Sequence, residues 1–371
     1  MRILQINKLY SPWIGGIETV AADIAEHLNA VDGTTVTNLV CQPKGKRQCD
    51  TIDGVKTYRA ASWGMLSGMP ISWDFFQMFR KLAKEADLII LHHPFPLGVV
   101  AYCAFGMNKK LVVWYHSDII RQRISRIPFL PFIRRALSAA SSVIVSSKAI
   151  SETSETLRDF REKCKVIYFA VDVDRYKLSD TIRVEAEKIR NTFGEPLILS
   201  VGRLVYYKGF SYLIQAMKGV SAHLLIIGAG PLKTYLSDEI ADRGLSERVH
   251  IIDPVMDLVP YYHACDVFVL PSCEPSETFG VVQMEALACG KPVINTNLPS
   301  GVPEVSVEGR TGRTVPAKDA SALANALQRT ISDKEEYRRL SKNALHDAET
   351  RFSKKRFGME LERYILMFGR P

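Results

Sequence analysis

Short apolar runs alternate with helical patterns along the whole chain, and no other feature narrows the choice of fold as much. In the first half the runs are Ile3–Asn7, Val36–Cys41, Leu88–His92, Leu111–His116, Val143–Ser146 and Val166–Phe169. The second half repeats the rhythm with Leu197–Val201, Leu224–Ile227, Val249–Ile252, Val267–Leu270 and Pro292–Asn295. A strand that is Val, Ile or Leu at nearly every position has no face to give to water. Helices must therefore cover both sides, and a helix between successive strands returns the chain in the parallel sense. The pattern predicts an α/β protein of two doubly wound, Rossmann-like domains. A length of 371 residues agrees, because single cores tend to divide beyond about 250–300 residues. The polar stretch Asp172–Glu195 is the expected hinge, so the first domain is placed at 1–175 and the second at 176–353.

Composition excludes several classes. At 47% hydrophobic and 24% charged residues, the chain is globular rather than disordered or fibrous. The longest apolar candidate for a membrane span, Ala86–Met107, is interrupted by His92, His93, Pro94 and Pro96. The N-terminus starts on the strand-like Arg2–Asn7 without the apolar core of a signal peptide, so a cytoplasmic protein is expected. Seven cysteines without a Cys-x-x-Cys pair are read as reduced thiols, not as disulfides or a zinc site.

The net charge of +8 is unevenly spread. Residues 1–170 hold 22 Lys and Arg against 14 Asp and Glu, and the remainder is balanced. Much of the excess lies in Arg121–Arg135, where arginines interleave with Ile, Phe and Leu. That mixture suits an anionic membrane surface or a phosphate-bearing acceptor, and equally a solvated helix with one buried face. Nucleic acid is not expected, since no helix-turn-helix, zinc or RNA-binding motif accompanies the charge.

The chemistry-bearing residues fall where predicted strands end. Gly15 and Gly16 follow the first strand, where missing side chains let backbone amides approach a phosphate. They are not the three-glycine dinucleotide fingerprint. The second domain's first strand runs into Val201-Gly-Arg-Leu-Val-Tyr-Tyr-Lys-Gly209, so Arg203 and Lys208 are two cations suited to a diphosphate. The next strand ends in Gly228-Ala-Gly230-Pro, a second close-approach loop. Glu277 precedes a predicted helix and Glu285 lies about two turns inside it, with the Phe279 and Gly280 amides at its start. No His or Cys stands beside either acid at metal-ligand spacing, and one helix does not present two carboxyls across a scissile bond. Acceptors for hydroxyl groups on either side of a phosphate are the remaining reading.

Gly15-Gly16, Val201-Gly-Arg203 with Lys208-Gly209, Gly228-x-Gly-Pro231 and Glu277-x-Phe-Gly-x4-Glu285-Ala-Leu-Ala-Cys-Gly together resemble glycosyltransferase family 4. The likeness covers nearly the whole chain. It implies a GT-B fold, with two Rossmann-like domains facing across a cleft and a C-terminal helix at about 354–371 joining the first. It also implies retaining, metal-independent hexosyl transfer from a nucleotide-diphosphate sugar, with no cofactor. By that resemblance Arg203 and Lys208 grip the leaving diphosphate, Glu285 holds the ribose, Glu277 touches the donor sugar, and Gly16 backs the phosphates. His116, in Trp114-Tyr-His-Ser-Asp118, matches the family's histidine facing donor sugar and acceptor. Ser117 separates it from Asp118, which departs from the family's usual His-Asp order. Asp172-Val-Asp174 has the form of a metal-nucleotide site but falls at a turn the family places between its domains, so no metal is expected there.

Trp114–Ile119 and Asn295–Pro303 are similar to polysaccharide and O-antigen mannosyl- or rhamnosyltransferases, favouring GDP-mannose over a UDP-hexose. With the basic first domain, the expected acceptor is a lipid-diphosphate-linked glycan at the inner face of the cell membrane. A soluble transferase on a small acceptor, a sugar-nucleotide epimerase and a non-enzymatic nucleotide-sugar scaffold are the rival readings.

Overall fold

The computed structural model describes residues 1–13, 15–66, 68–118 and 127–369. The chain forms two compact units. The first holds Met1–Phe169 with the C-terminal segment from Phe357, and the second holds Ala170–Arg356. The division falls a few residues before the expected 175 because the Val171 amide donates to the Phe352 carbonyl (2.8 Å), tying 170–175 to the second unit.

The main sheet of the first unit is built from β1 (Arg2–Ile6), β2 (Thr35–Cys41), β3 (Gln48–Ile52), β4 (Val55–Ala60), β5 (Leu88–His93), β6 (Lys110–Tyr115), β7 (Ser142–Val145) and β8 (Cys164–Val166). They lie in the order β8-β7-β6-β5-β1-β2-β4-β3, all parallel except β3 on β4. Every residue of β5 is buried, as continuous apolarity requires of a central strand. The β3–β4 hairpin was not anticipated. Its strands are rich in Thr, Lys, Arg and Asp, so they carry no apolar run, and β3 is an exposed edge. Asp53-Gly54 was the available signal: both residues adopt positive φ (48° and 76°), as a two-residue hairpin turn demands.

The second unit holds β9 (Leu197–Val201), β10 (His223–Ile227), β11 (Val249–Ile252), β12 (Val267–Val269), β13 (Val293–Thr296) and β14 (Gly312–Val315). Their order is β11-β10-β9-β12-β13-β14 and every pairing is parallel. The polar stretch expected to be a hinge is instead an ordered part of this unit. It contains the helix Asp180–Phe193, capped by Ser179, whose Oγ accepts from the Ile182 amide. Arg190 ties that helix down through the Ala264 carbonyl (2.6 Å) and Asp266 (3.1 Å). The helix reads as polar because little more than Ala186 on it is buried.

The last helix, Lys354–Ile365, carries the second division of the chain. Beyond that point Phe357 packs against Trp114 (ring centroids 6.1 Å apart) and the Tyr364 hydroxyl meets Ser142 Oγ at 2.7 Å. All seven cysteines are free thiols, four of them buried. Among the described residues no helix is long and apolar enough to cross a membrane.

Candidate active site

In the second unit the sheet reverses direction beside β9: β10 and β11 extend to one side, β12 to β14 to the other. Crossovers leave β9 and β12 in opposite directions, so the loops after these two strands meet with no helix between them. One loop carries 202–209 and the other 271–280. Lys208 Nζ pairs with Glu277 Oε2 at 2.5 Å, and the two side chains are only 12% and 11% exposed. Ser272 Oγ donates to the same carboxylate oxygen (3.1 Å). The backbone locks the loops together, since the Cys273 amide donates to the Tyr207 carbonyl (2.8 Å). Gly209 has φ 69°, and a Cβ there would overlap the Pro271 carbonyl. Arg203 stands on the same loop, exposed and with no ion pair among the described residues.

Glu285 belongs to the same cluster of loops. The helix that carries it runs Val282–Ala288, shorter than expected, and places Glu285 in its first turn, not two turns inside. Gly280 is the reason: its φ of 74° is left-handed, so the helix cannot begin before it. Phe279 is a core residue packed edge-on against Phe352 (6.5 Å). The Glu285 carboxylate accepts from the Tyr262 hydroxyl (2.6 Å), with the Tyr176 hydroxyl nearby. Burial raises its pKa, while the two hydroxyls and nearby Arg175 pull in the other direction. Neither tyrosine was singled out from sequence. They lie 23 and 109 positions from Glu285 and converge only through packing, their rings 6.1 Å apart.

The two loop glycines after β10 have a packing explanation. A Cβ on Gly228 would overlap the Gly202 carbonyl, and one on Gly230 the Leu204 carbonyl. The loop of β10 thus buttresses the loop that carries Arg203. Asp172 and Asp174 are likewise committed to local structure. Asp172 caps a short 3-10 turn by accepting from the Arg175 amide, and Asp174 pairs with Lys177 (2.6 Å).

The first unit has its own reversal, beside β1. Gly15 is the N-cap of the helix Gly16–Asn29. The chain itself does not require either glycine: φ −167° at Gly15 is ordinary extended backbone, and a Cβ on Gly16 would meet nothing within 4 Å. A Cβ on Gly15 would meet only the movable end of the Glu18 side chain. At the ends of β5 and β6, His92 Nδ1 and His116 Nε2 are 2.9 Å apart, one ring donating and the other accepting, and the rings stack at 5.2 Å. The His116 amide donates to the His93 carbonyl (2.9 Å), and His93 stacks on Tyr115 (4.6 Å). The sequence offered position alone for His92 and His93. Asp118 accepts from the Tyr115 hydroxyl (2.5 Å) and Ser154 Oγ (2.9 Å), which accounts for it as a strut.

Of the basic segment, Arg121, Arg123 and Arg126 lie outside the described residues. Leu130–Ala139 is a helix that buries Ile133, Ala136 and Leu137, and its Arg134 pairs with Asp159.

Comparison with known proteins places this geometry. The glycosyltransferase family 4 profile matches residues 14–175 and the glycosyl transferases group 1 profile matches 183–347. The chain is 33% identical to the D-rhamnosyltransferase WbpZ of Pseudomonas aeruginosa, over 93% of this chain and 90% of that protein. It is 25% identical to the O-antigen chain mannosyltransferase C of Escherichia coli, over 95% of each. In fold it is similar to Anabaena HepE in complex with UDP, with a TM-score of 0.78 at 23% identity over 99% of this chain and all of that one.

Two outcomes are expected. Burial holds His92 at about 3 and His93 at about 4, and burial with the neighbouring imidazoles keeps His116 well below its ordinary value. The unfolded chain takes up those protons below about pH 6.5, so there it binds more protons than the folded one and stability falls as the pH is lowered. Urea unfolding should be level above about pH 7 and lose about 1.4 kcal/mol per pH unit for each histidine between about 6 and 4.5. His92→Gln should flatten that slope; an unchanged slope would mean that His92 does not stay neutral. Separately, Gly228→Ala should cost about 1–3 kcal/mol of stability with no ligand present. Gly16→Ala should leave the thermal midpoint within about 1 °C of wild type, because it meets open space.

Proposed function

The chain belongs to glycosyltransferase family 4, and we propose that it moves a hexose, with retention of configuration, from a nucleotide-diphosphate sugar to a lipid-diphosphate-linked glycan in cell-surface polysaccharide synthesis. One observation carries the reading: a sheltered ammonium–carboxylate pair, Lys208 with Glu277, on the loops at the reversal point of a parallel sheet, one of which also carries Arg203, exposed and with no ion pair among the described residues. A diphosphate is the ligand that two cations on one loop suit best, one as a fork of donors and one as a compact charge. The activities named for the Pseudomonas and Escherichia relatives support a hexose and a polysaccharide acceptor, and a mannose-type donor with GDP is the reading we adopt.

In this mechanism the bond between the anomeric carbon and the diphosphate oxygen breaks, and its electron pair leaves with the diphosphate. The acceptor hydroxyl oxygen bonds to the same face of that carbon and its proton passes to a phosphate oxygen. Arg203 and Lys208 stabilise the charge that grows on the leaving group, which we propose needs no metal ion. An ammonium has three donors, so Lys208 keeps Glu277 while turning another proton to phosphate. Glu277, with one oxygen held by Lys208 and Ser272, offers its remaining lone pairs to sugar hydroxyls. Glu285, already gripped by the Tyr262 hydroxyl, presents a fixed acceptor to the ribose diol. Neutral His116 serves as a hydrogen-bonding partner to the sugar or acceptor hydroxyls. We place the protein at the inner face of the cell membrane, where such an acceptor is displayed.

Incubation with GDP-mannose, GDP-rhamnose and UDP-hexoses plus lipid-diphosphate-linked acceptors, followed by mass and anomeric analysis of products, tests the reaction. The expected product keeps the donor's anomeric configuration and forms undiminished after EDTA treatment. An isomerised donor with no acceptor product would establish an epimerase instead. Arg203→Ala should lower kcat by about 10²–10³ with an unchanged melting temperature. Lys208→Met should lower both, by about 3 kcal/mol in stability, because Glu277 is left without its partner. Adding Glu277→Gln to that variant should restore stability and not activity. Wild-type turnover in Arg203→Ala would reject the site.

A further inference from the structure

Residues 60–73 hold no charged side chain, and none of them takes part in the site above. Met65–Leu66 and Met69–Pro70 pair as a small antiparallel ribbon, continued by Trp63 N to Ile71 O (3.0 Å) and Ile71 N to Gly64 O (2.9 Å). The base of the ribbon is clamped. Ser72 Oγ donates to the Ala61 carbonyl (2.5 Å), and Asp74 accepts from the Ala61 amide (2.8 Å). Gly45 and Ser62 exchange two backbone hydrogen bonds of 2.9 Å each. What this clamped backbone holds out is apolar: Trp63 is 73% exposed, Leu66 66%, Trp73 64%, Ile71 43% and Met65 39%. Trp114, by contrast, is fully buried. Exposed apolar side chains gathered on one ribbon mark a surface that something covers.

We propose that this ribbon is a membrane-docking element that enters the headgroup–acyl boundary of an anionic phospholipid surface. The side chains come from both strands, and the pleat sends successive residues to opposite faces. A flat protein partner would cover one face and leave the other wet, whereas hydrocarbon surrounds both. Indole rings, with an apolar body and one N–H donor, settle at that boundary. Charge agrees: Lys44 and Lys46, both exposed, flank Gly45 at the ribbon's base, where lipid phosphates would lie once the tip is inserted. Arg47, the third cation of that loop, is engaged by Asp74. The inference rests on the membrane-side reading of the acceptor but names a different element from Arg121–Arg135.

The full chain is mixed with vesicles of phosphatidylglycerol and phosphatidylcholine, the choline lipid carrying brominated acyl chains. The protein should sediment with the vesicles and its tryptophan emission should be quenched. Trp63→Phe/Trp73→Phe should still bind but lose most of the quenching, since Trp13 and Trp114 remain. Trp63→Ser/Leu66→Ser should lose at least about tenfold in vesicle affinity with an unchanged melting temperature. Equal affinity in the serine variant, or binding without quenching, would overturn the ribbon's role while leaving membrane association standing. A wild-type protein that ignores anionic vesicles would overturn both. A vesicle-free dimer that the serine variant dissolves would overturn docking to lipid, because a second copy would then be the partner.

Discussion

A parallel sheet whose strand order reverses beside its first strand leaves one pair of neighbouring loops with no crossover between them, and each unit of this protein is arranged around such a pair. In the second unit the pair holds Lys208 and Glu277, drawn to 2.5 Å in surroundings that shelter both. A sheltered charge is tolerable only with a partner and hydrogen bonds. Ser272 supplies the hydrogen bond, and Gly209, pressed against Pro271, lets the loops approach closely enough. Glycines at 228 and 230 then allow the third loop to brace the first.

The same architecture serves opposite electrostatics in the two units. At the strand ends of the first stand three buried imidazoles, His92 facing His116 and His93 stacked on Tyr115, with burial the largest influence on each. At the strand ends of the second stand charged groups, two of which satisfy each other while Arg203 does not. A neutral hydrogen-bonding surface suits hydroxyl groups, and a cationic one suits phosphates.

The central strands were legible because burial on both faces forces an unbroken apolar run. The hairpin Gln48–Ala60 was not, since Thr57, Arg59 and Asp50 break any such run. Its turn, Asp53-Gly54, was a local signal that went unread. The helix around Glu285 was overextended because apolar spacing reveals a helix's face but not the backbone angle at Gly280 that ends it. The stretch 172–195 looked like a hinge because a surface helix with few buried residues has the composition of a linker.

By itself the sequence determined the α/β class, the strand-end positions of Arg203, Lys208, Glu277 and His116, and the family, because each follows from local periodicity or from a short run of residues. Tertiary structure alone decided that Lys208 meets Glu277 across 69 positions, that Tyr262 holds Glu285, and that His92 faces His116. It likewise decided that Trp63, Met65, Leu66, Ile71 and Trp73 stay exposed instead of packing inward. The reason is the same in every case: strand order and crossover direction set which distant residues become neighbours, and neither is encoded in the periodicity of any single segment.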